Sequence, residues 1–233
     1  EDCDVVVMEA SSQGFKLDRT AGIMFDYGLF TNLSPDHIGP GEHADFEEYL
    51  YYKTRLLNMC RIGLVNKDDE HAPQIIKAAN CELYTYSEES KEADFVASDI
   101  RYVSQPDFVG TEFHISGKYD MEVRLGIPGL FNVVNALAAV SVCSFLGLDQ
   151  ARISHALENI RVNGRMEIVY TSERCTVLVD YAHNAVSMES LLSTLRDYKP
   201  KRLVCVFGCG GNRSKDRRYS MGEIGGKMAD LSI

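Results

Sequence analysis

Hydrophobic positions along the chain fall into two spacings. Strand-like runs occur at Val5 to Met8, Gly28 to Leu33, Ile62 to Val65 and Leu83 to Tyr86, with helical stretches at about 44–58 and 70–79 between them. The unbroken Val5-Val6-Val7-Met8 run has the character of a strand buried on both faces of a parallel sheet. Alternation of strand and helix predicts a parallel α/β sheet. From Phe95 to Ile127 the pattern changes to short β runs, with Gly117-Lys118 as a turn between Glu112 to Ser116 and Met121 to Leu125. That stretch predicts an antiparallel addition to the sheet.

Two helices are expected next, at about 131–147 and 150–160, and Asn163-Gly164 then breaks the pattern. A domain boundary is placed there, dividing the chain into 1–162 and 163–233. Beyond it the pattern gives strands at about 166–171 and 176–180, a helix near 186–198, a strand at Leu203 to Phe207, a glycine-rich loop and a helix at about 219–229. This is the start of a second α/β unit. A double-sided strand rarely opens a domain, and Met228 to Ile233 runs from a helix end into another strand, so the 233 residues read as part of a longer protein.

Composition narrows the classes. With 45% hydrophobic and 25% charged residues the chain can bury a core, and no apolar run approaches the roughly 20 residues of a membrane span. A net charge of -10 disfavours nucleic acid as a partner. The charge is uneven: acids crowd the first fifty residues, while Lys199, Lys201, Arg202, Arg213, Lys215, Arg217 and Arg218 face only Asp216 in 199–218. An acidic solvated face and a basic loop would explain this, as would a metal-binding half facing an anion-binding half. Seven cysteines without a C-x-x-C pair read as reduced core thiols of a cytoplasmic protein.

Several residues could carry chemistry. Glu9 follows the first strand-like run, and Asp36-His37 follow the next after Thr31-Asn32-Leu33-Ser34-Pro35. Both positions lie where parallel sheets place ligands, outside the carboxyl ends of strands. A carboxylate and an imidazole there suit a divalent metal; alternatively Glu9 caps a helix and His37 is an ordinary loop histidine. Lys53, by pattern alone, is a surface residue of the 44–58 helix. Gly208-Cys209-Gly210-Gly211 follows a strand and precedes Asn212-Arg213-Ser214-Lys215-Asp216-Arg217-Arg218, combining close backbone approach with cationic groups. Anion binding is the favoured reading, a simple turn the other. The P-loop spacing G-x-x-x-x-G-K-[ST] is absent: Gly225-Gly226-Lys227 has Met221 in place of the first glycine and Met228 after the lysine.

Taken together, Met8-Glu9-Ala10-Ser11-Ser12, Phe30-Thr31-Asn32-Leu33-Ser34-Pro35-Asp36-His37, the Lys53 helix, Phe131-Asn132-Val133-Val134-Asn135-Ala136, Gly164-Arg165-Met166-Glu167, Val179-Asp180-Tyr181-Ala182-His183 and Val206-Phe207-Gly208-Cys209-Gly210-Gly211 resemble the Mur ligases. The closest similarity is to the branch that adds the third amino acid to the peptidoglycan precursor. The segments occur in the family's order across the whole chain.

The resemblance implies a mostly parallel central ATP-binding domain with an antiparallel β addition, lacking its P-loop, followed by the first half of a Rossmann-like C-terminal ligase domain. It implies ATP and magnesium as cofactors. The expected partners are UDP-N-acetylmuramoyl dipeptide and a diamino acid, handled by a monomer without nucleic acid or membrane insertion. By the same resemblance, Glu9, His37 and a carbamylated Lys53 hold metal and serve catalysis. Ser11 and Arg19 contact the muramoyl dipeptide, and Arg213 the carboxylate of the incoming amino acid. Asn135, Arg165, Asp180, His183 and Lys215 lie on the nucleotide side.

The chain departs from the usual family pattern in three places: Gln13 stands for a histidine, Asn184-Ala185 for Thr-Pro, and Ser214 for an aspartate. The segment that separates diaminopimelate from lysine users is not among these residues. A different ligase of the same superfamily, acting on folate or cyanophycin, and a non-catalytic nucleotide-binding homologue are the alternatives.

Overall fold

The structure is a computed structural model describing residues 3–34, 38, 39, 41–210 and 215–233, without the side chains of 215 and 216. Its strands are β1 (Phe25–Phe30), β2 (Cys60–Asn66), β3 (Glu82–Ser87), β4 (Phe95–Gln105), β5 (Phe108–Gly117), β6 (Met121–Leu125), β7 (Glu167–Thr171), β8 (Thr176–Val179), β9 (Val204–Cys205) and β10 (Leu231–Ser232). The helices are α1 (Ser12–Lys16), α2 (Phe46–Thr54, continued as a 3-10 turn over Arg55–Asn58), α3 (Ala72–Ala78), α4 (Leu130–Phe145), α5 (Gln150–Asn159), α6 (Ala185–Asp197) and α7 (Lys215–Met228). The first six strands form one sheet in the order β1-β2-β3-β4-β5-β6. Two compact units share the chain: 1–97 with 115–120 and 137–148, and 98–114 with 121–136 and 149–233.

In the first unit β1, β2, β3 and the start of β4 pair in parallel, with Tyr27 opposite Ile62, Leu64 opposite Tyr84 and Tyr86 opposite Phe95. Their side chains pack with α2 and α3 in a cluster that includes Phe30, Leu33, Tyr49, Leu57, Val65 and Ile75. Full burial of each large apolar side chain contributes roughly 1.5–3 kcal/mol before entropy is counted. The end of α4 adds Phe145, whose ring sits 4.7 Å from Tyr84 and 6.0 Å from Phe95. The turn into β4 is fastened by Asp94, whose carboxylate accepts from the Thr85 N–H at 2.8 Å and the Thr85 hydroxyl at 3.0 Å.

Asp45 begins α2 by accepting the Glu48 N–H at 2.8 Å, an N-cap that satisfies a free donor of the first turn. In the second unit Gly126 N–H donates to Leu157 O at 2.9 Å, tying α5 to the segment after β6. The strands β7 and β8 form an antiparallel pair, and β9 pairs in parallel with β10. Around the latter, α6 and α7 enclose Met188, Leu192, Leu203 and Met221.

Two expectations need correction. Val5 to Met8 is not a strand: it pairs with none, and Val7 is 94% exposed. A continuous apolar run becomes a buried strand only where neighbours supply ladder partners and cover, and the described residues supply neither. The cysteines are free, but Cys3 and Cys175 are exposed rather than core thiols. Cys3 precedes that unpaired run and Cys175 lies in the turn between β7 and β8. Among the described residues, no helix is long and apolar enough to cross a membrane.

Candidate active site

The first unit holds two of the residues expected around a metal, Glu9 and Lys53. Glu9 ends the exposed run, and Ser11 accepts the Gly14 N–H at 3.0 Å as the N-cap of α1. Ser11 therefore plays the capping part that was the alternative for Glu9. The last turn of α2 carries Lys53, half-buried, with Nζ 5.7 Å from the Tyr49 ring centroid. Burial pushes the Lys53 ammonium below its usual range, and the Glu9 carboxylate opposes that shift. Glu9 and Lys53 are thus within electrostatic reach of each other.

The loop bearing Ser11 and Arg19 is held to α2 by several contacts. Lys16 Nζ donates to a Glu48 carboxylate oxygen at 2.9 Å and to Glu42 O at 2.8 Å. Arg55 donates to Phe15 O at 2.8 Å and meets Asp18 at 3.2 Å. Beneath them, His43 is buried, with Nε2 2.9 Å from Ser12 Oγ. Arg19 itself is exposed.

The second unit brings Arg165, Asp180 and His183 together. One Asp180 oxygen accepts the Met166 N–H at 2.9 Å and the other the Ala182 N–H at 2.7 Å. A carboxylate offers about four lone-pair sites, so accepting capacity remains for a ligand hydroxyl. Met166 adopts φ 45°, a left-handed conformation that this carboxylate helps to hold. The Arg165 guanidinium lies 5.0 Å from the Tyr181 ring centroid, and that ring is 5.2 Å from the His183 imidazole. Alongside is a cavity of about 330 Å³ whose lining includes Asp180, Tyr181, His183, Gly208, Gly210 and Arg217.

Asn135 is exposed in the second turn of α4. His37, Arg213 and the side chain of Lys215 lie outside the described residues. Arg217 belongs to the basic stretch read as anion-binding, and His43 was not singled out from sequence. Arg217 lines the cavity because α7 starts at Lys215 rather than near 219, which turns the basic stretch into a first helical turn. His43 carries no comparable signal, since a histidine in a loop says nothing of its burial.

Comparison with known proteins gives the family. Residues 1–143 match the Mur ligase middle domain, and residues 164–233 match the Mur ligase glutamate ligase domain. The chain belongs to the Mur ligase family. It is 39% identical to the UDP-N-acetylmuramoyl-L-alanyl-D-glutamate--2,6-diaminopimelate ligase of Alkaliphilus oremlandii, over 99% of this chain and 47% of that protein. The enzyme of the same name from Clostridioides difficile is 37% identical, over 99% and 48% respectively. The chain therefore spans about half the length of the curated relatives it matches.

Among solved Mur ligase structures, a UDP-N-acetylmuramoyl-L-alanyl-D-glutamate--2,6-diaminopimelate ligase superposes with a TM-score of 0.76 at 30% identity, covering 95% of this chain and 46% of its own. A Mycobacterium tuberculosis folylpolyglutamate synthase superposes with 0.62 at 19% identity, over 89% and 47%, which supports the shared fold alone. The mixed α/β architecture expected from sequence, with its mostly parallel sheet, is thus that of the Mur ligase central domain.

Proposed function

We propose that this chain is the catalytic middle of an ATP-dependent ligase that joins 2,6-diaminopimelate to UDP-N-acetylmuramoyl-L-alanyl-D-glutamate during peptidoglycan precursor synthesis. The observation that carries the reading is the half-buried Lys53 set beside Glu9, in a chain 37–39% identical along 99% of its length to ligases named for that reaction. Choice of diaminopimelate over lysine rests on those names. The two family matches, ending at 143 and beginning at 164, support a domain boundary near 163.

In the proposed reaction the free carboxylate of the dipeptide attacks the γ-phosphate of ATP. An acyl phosphate forms and ADP leaves. The amine of the incoming amino acid then displaces phosphate to form the amide. Like charges meet in the first step, so the site must supply positive charge.

Glu9, His37 and a carbamylated Lys53 would hold magnesium. The fit is chemical: a carbamate forms only on a neutral amine, and burial of Lys53 shifts it toward that form. Magnesium, when bound, screens the reacting oxygens from one another. The chain's own groups orient the substrates. Ser11 and Arg19 receive the dipeptide, Asp180 the ribose hydroxyls, and Asn135, Arg165, His183 and Lys215 the remainder of the nucleotide. Arg213 receives the carboxylate of the amino acid.

The test is to give the full-length protein UDP-N-acetylmuramoyl-L-alanyl-D-glutamate, ATP and magnesium, and to follow phosphate release with diaminopimelate or lysine. Stimulation by diaminopimelate is expected. Stimulation by lysine alone would change the amino acid, and stimulation by neither would overturn the reading.

A further inference from the structure

Beneath the Ser11 loop lies a chain of polar groups that none of the roles above uses. His43 is wholly buried, walled by the Tyr49 and Tyr52 rings at 5.2 and 5.6 Å. Its Nε2 is 2.9 Å from the hydroxyl of Ser12, itself 2% exposed, and its Nδ1 has no hydrogen-bond partner. Glu48 Oε2 lies 3.8 Å from Nδ1, which is too long for a hydrogen bond. That oxygen already accepts the Ala44 N–H at 2.6 Å and Lys16 Nζ at 2.9 Å. A lone pair on Nδ1 facing a carboxylate would be repelled, so the favoured tautomer carries its proton on Nδ1. Nε2 then accepts from the Ser12 hydroxyl.

Ser12, His43 and Glu48 follow one another in the order of a hydrolase triad, but Glu48 is beyond hydrogen-bond range of His43 and the burial of Ser12 closes it to any substrate. A group so enclosed can hold but not attack. What it holds is the first residue of α1, whose N-cap is Ser11.

We propose that His43 is a positioning residue that fixes the Ser11-Ser12 turn, and through it the dipeptide, by accepting the Ser12 hydroxyl. The inference rests on the ligase reading above, because it takes Ser11 as the contact to the dipeptide. Lys16, bound to the same Glu48, restrains the other end of α1, so the loop is fixed at both ends and the His43 bond sets its substrate-facing start. Loss of one buried hydrogen bond is then felt as misplacement of substrate.

Full-length wild type, His43→Leu, His43→Gln and Ser12→Ala are compared in steady-state ligation with each substrate varied. His43→Leu and Ser12→Ala should each raise KM for the dipeptide about threefold to tenfold, leaving KM for ATP within twofold. His43→Gln should restore most of the loss, since its amide reaches the Nε2 position and can still accept from Ser12. The double variant His43→Leu/Ser12→Ala should be no worse than either single one, because both remove the same bond. An unchanged dipeptide KM in Ser12→Ala, or additive losses in the double variant, overturns the inference. Equal increases for all three substrates also overturn it, since they mark general loss of structure. Failure of the ligase reading is separate: wild type itself would not turn over the dipeptide.

Discussion

The Tyr198 hydroxyl donates to Gly110 O at 3.0 Å, and the Tyr198 phenol oxygen accepts the Gly129 N–H at 3.2 Å. It also lies 2.9 Å from Thr111 Oγ1. Tyr198 caps the C-terminus of α6, whereas Gly129 directly precedes α4, the helix that carries Asn135. One phenol therefore fixes where α4 begins. Tyr198→Phe leaves the ring and removes these bonds, with an expected loss on the order of 1–3 kcal/mol. Faster hydrogen exchange at the Gly129 amide, with α5 amides unchanged, would show the effect is local. Unchanged exchange at Gly129 would exclude it.

Glu88 gives a pH-dependent prediction. Burial, then the charges of Asp68 and Glu89, push its carboxyl up to about 7. Between its ordinary value of 4.5 and about 7 the folded state keeps a proton that the unfolded state has lost, so stability falls as pH rises through that window. Above it the penalty is constant, and below 4.5 it vanishes. Partial exposure of Glu88 screens the effect. Glu88→Gln should therefore raise the melting temperature relative to wild type at pH 8 and leave it unchanged at pH 4. A pH-independent difference would contradict this assignment.

Gly117 ends β5 with φ 100°, and a Cβ there would lie 2.3 Å from Asp94 O. That oxygen accepts the Lys118 N–H at 2.8 Å, so it cannot retreat without loosening the turn. Gly117→Ala combines a left-handed backbone with a backbone clash, and a loss on the order of 2–3 kcal/mol is expected. The shift of the urea midpoint measures it; a midpoint within error of wild type would mean that the turn rearranges freely.

Much of this fold was legible because period-2 and period-3.6 patterns act locally. The reading of Ile62 to Val65 and Leu83 to Tyr86 as strands, and of 131–147 as a helix, comes within a few residues of β2, β3 and α4. Val5 to Met8 was misread because apolar content reports a capacity for burial, not the presence of partners. Arg165, Asp180 and His183 could be named from motifs, and the structure groups them through Met166 and Tyr181. Arg217 was read as part of the basic stretch after the glycine loop, and His43 could not be named, since its role depends on what a loop packs beneath.

Lys53 offers the sharpest test of the site. Its amine is shifted toward the neutral form by burial, and the Glu9 charge works against that shift. Carbamylation consumes neutral amine, so the carbamate should disappear as pH falls, with more remaining in Glu9→Gln than in wild type at the same acidic pH. Carbonyl NMR of full-length protein in 13C-bicarbonate, without magnesium, reads this directly and independently of turnover. Lys53→Ala should lose the signal and at least about 100-fold in kcat. Added bicarbonate should not restore it, because no amine remains to carry the carboxylate. A Lys53→Ala enzyme with normal turnover would remove Lys53 from the reaction, and a carbamate signal that persisted in it would place the modification on another lysine.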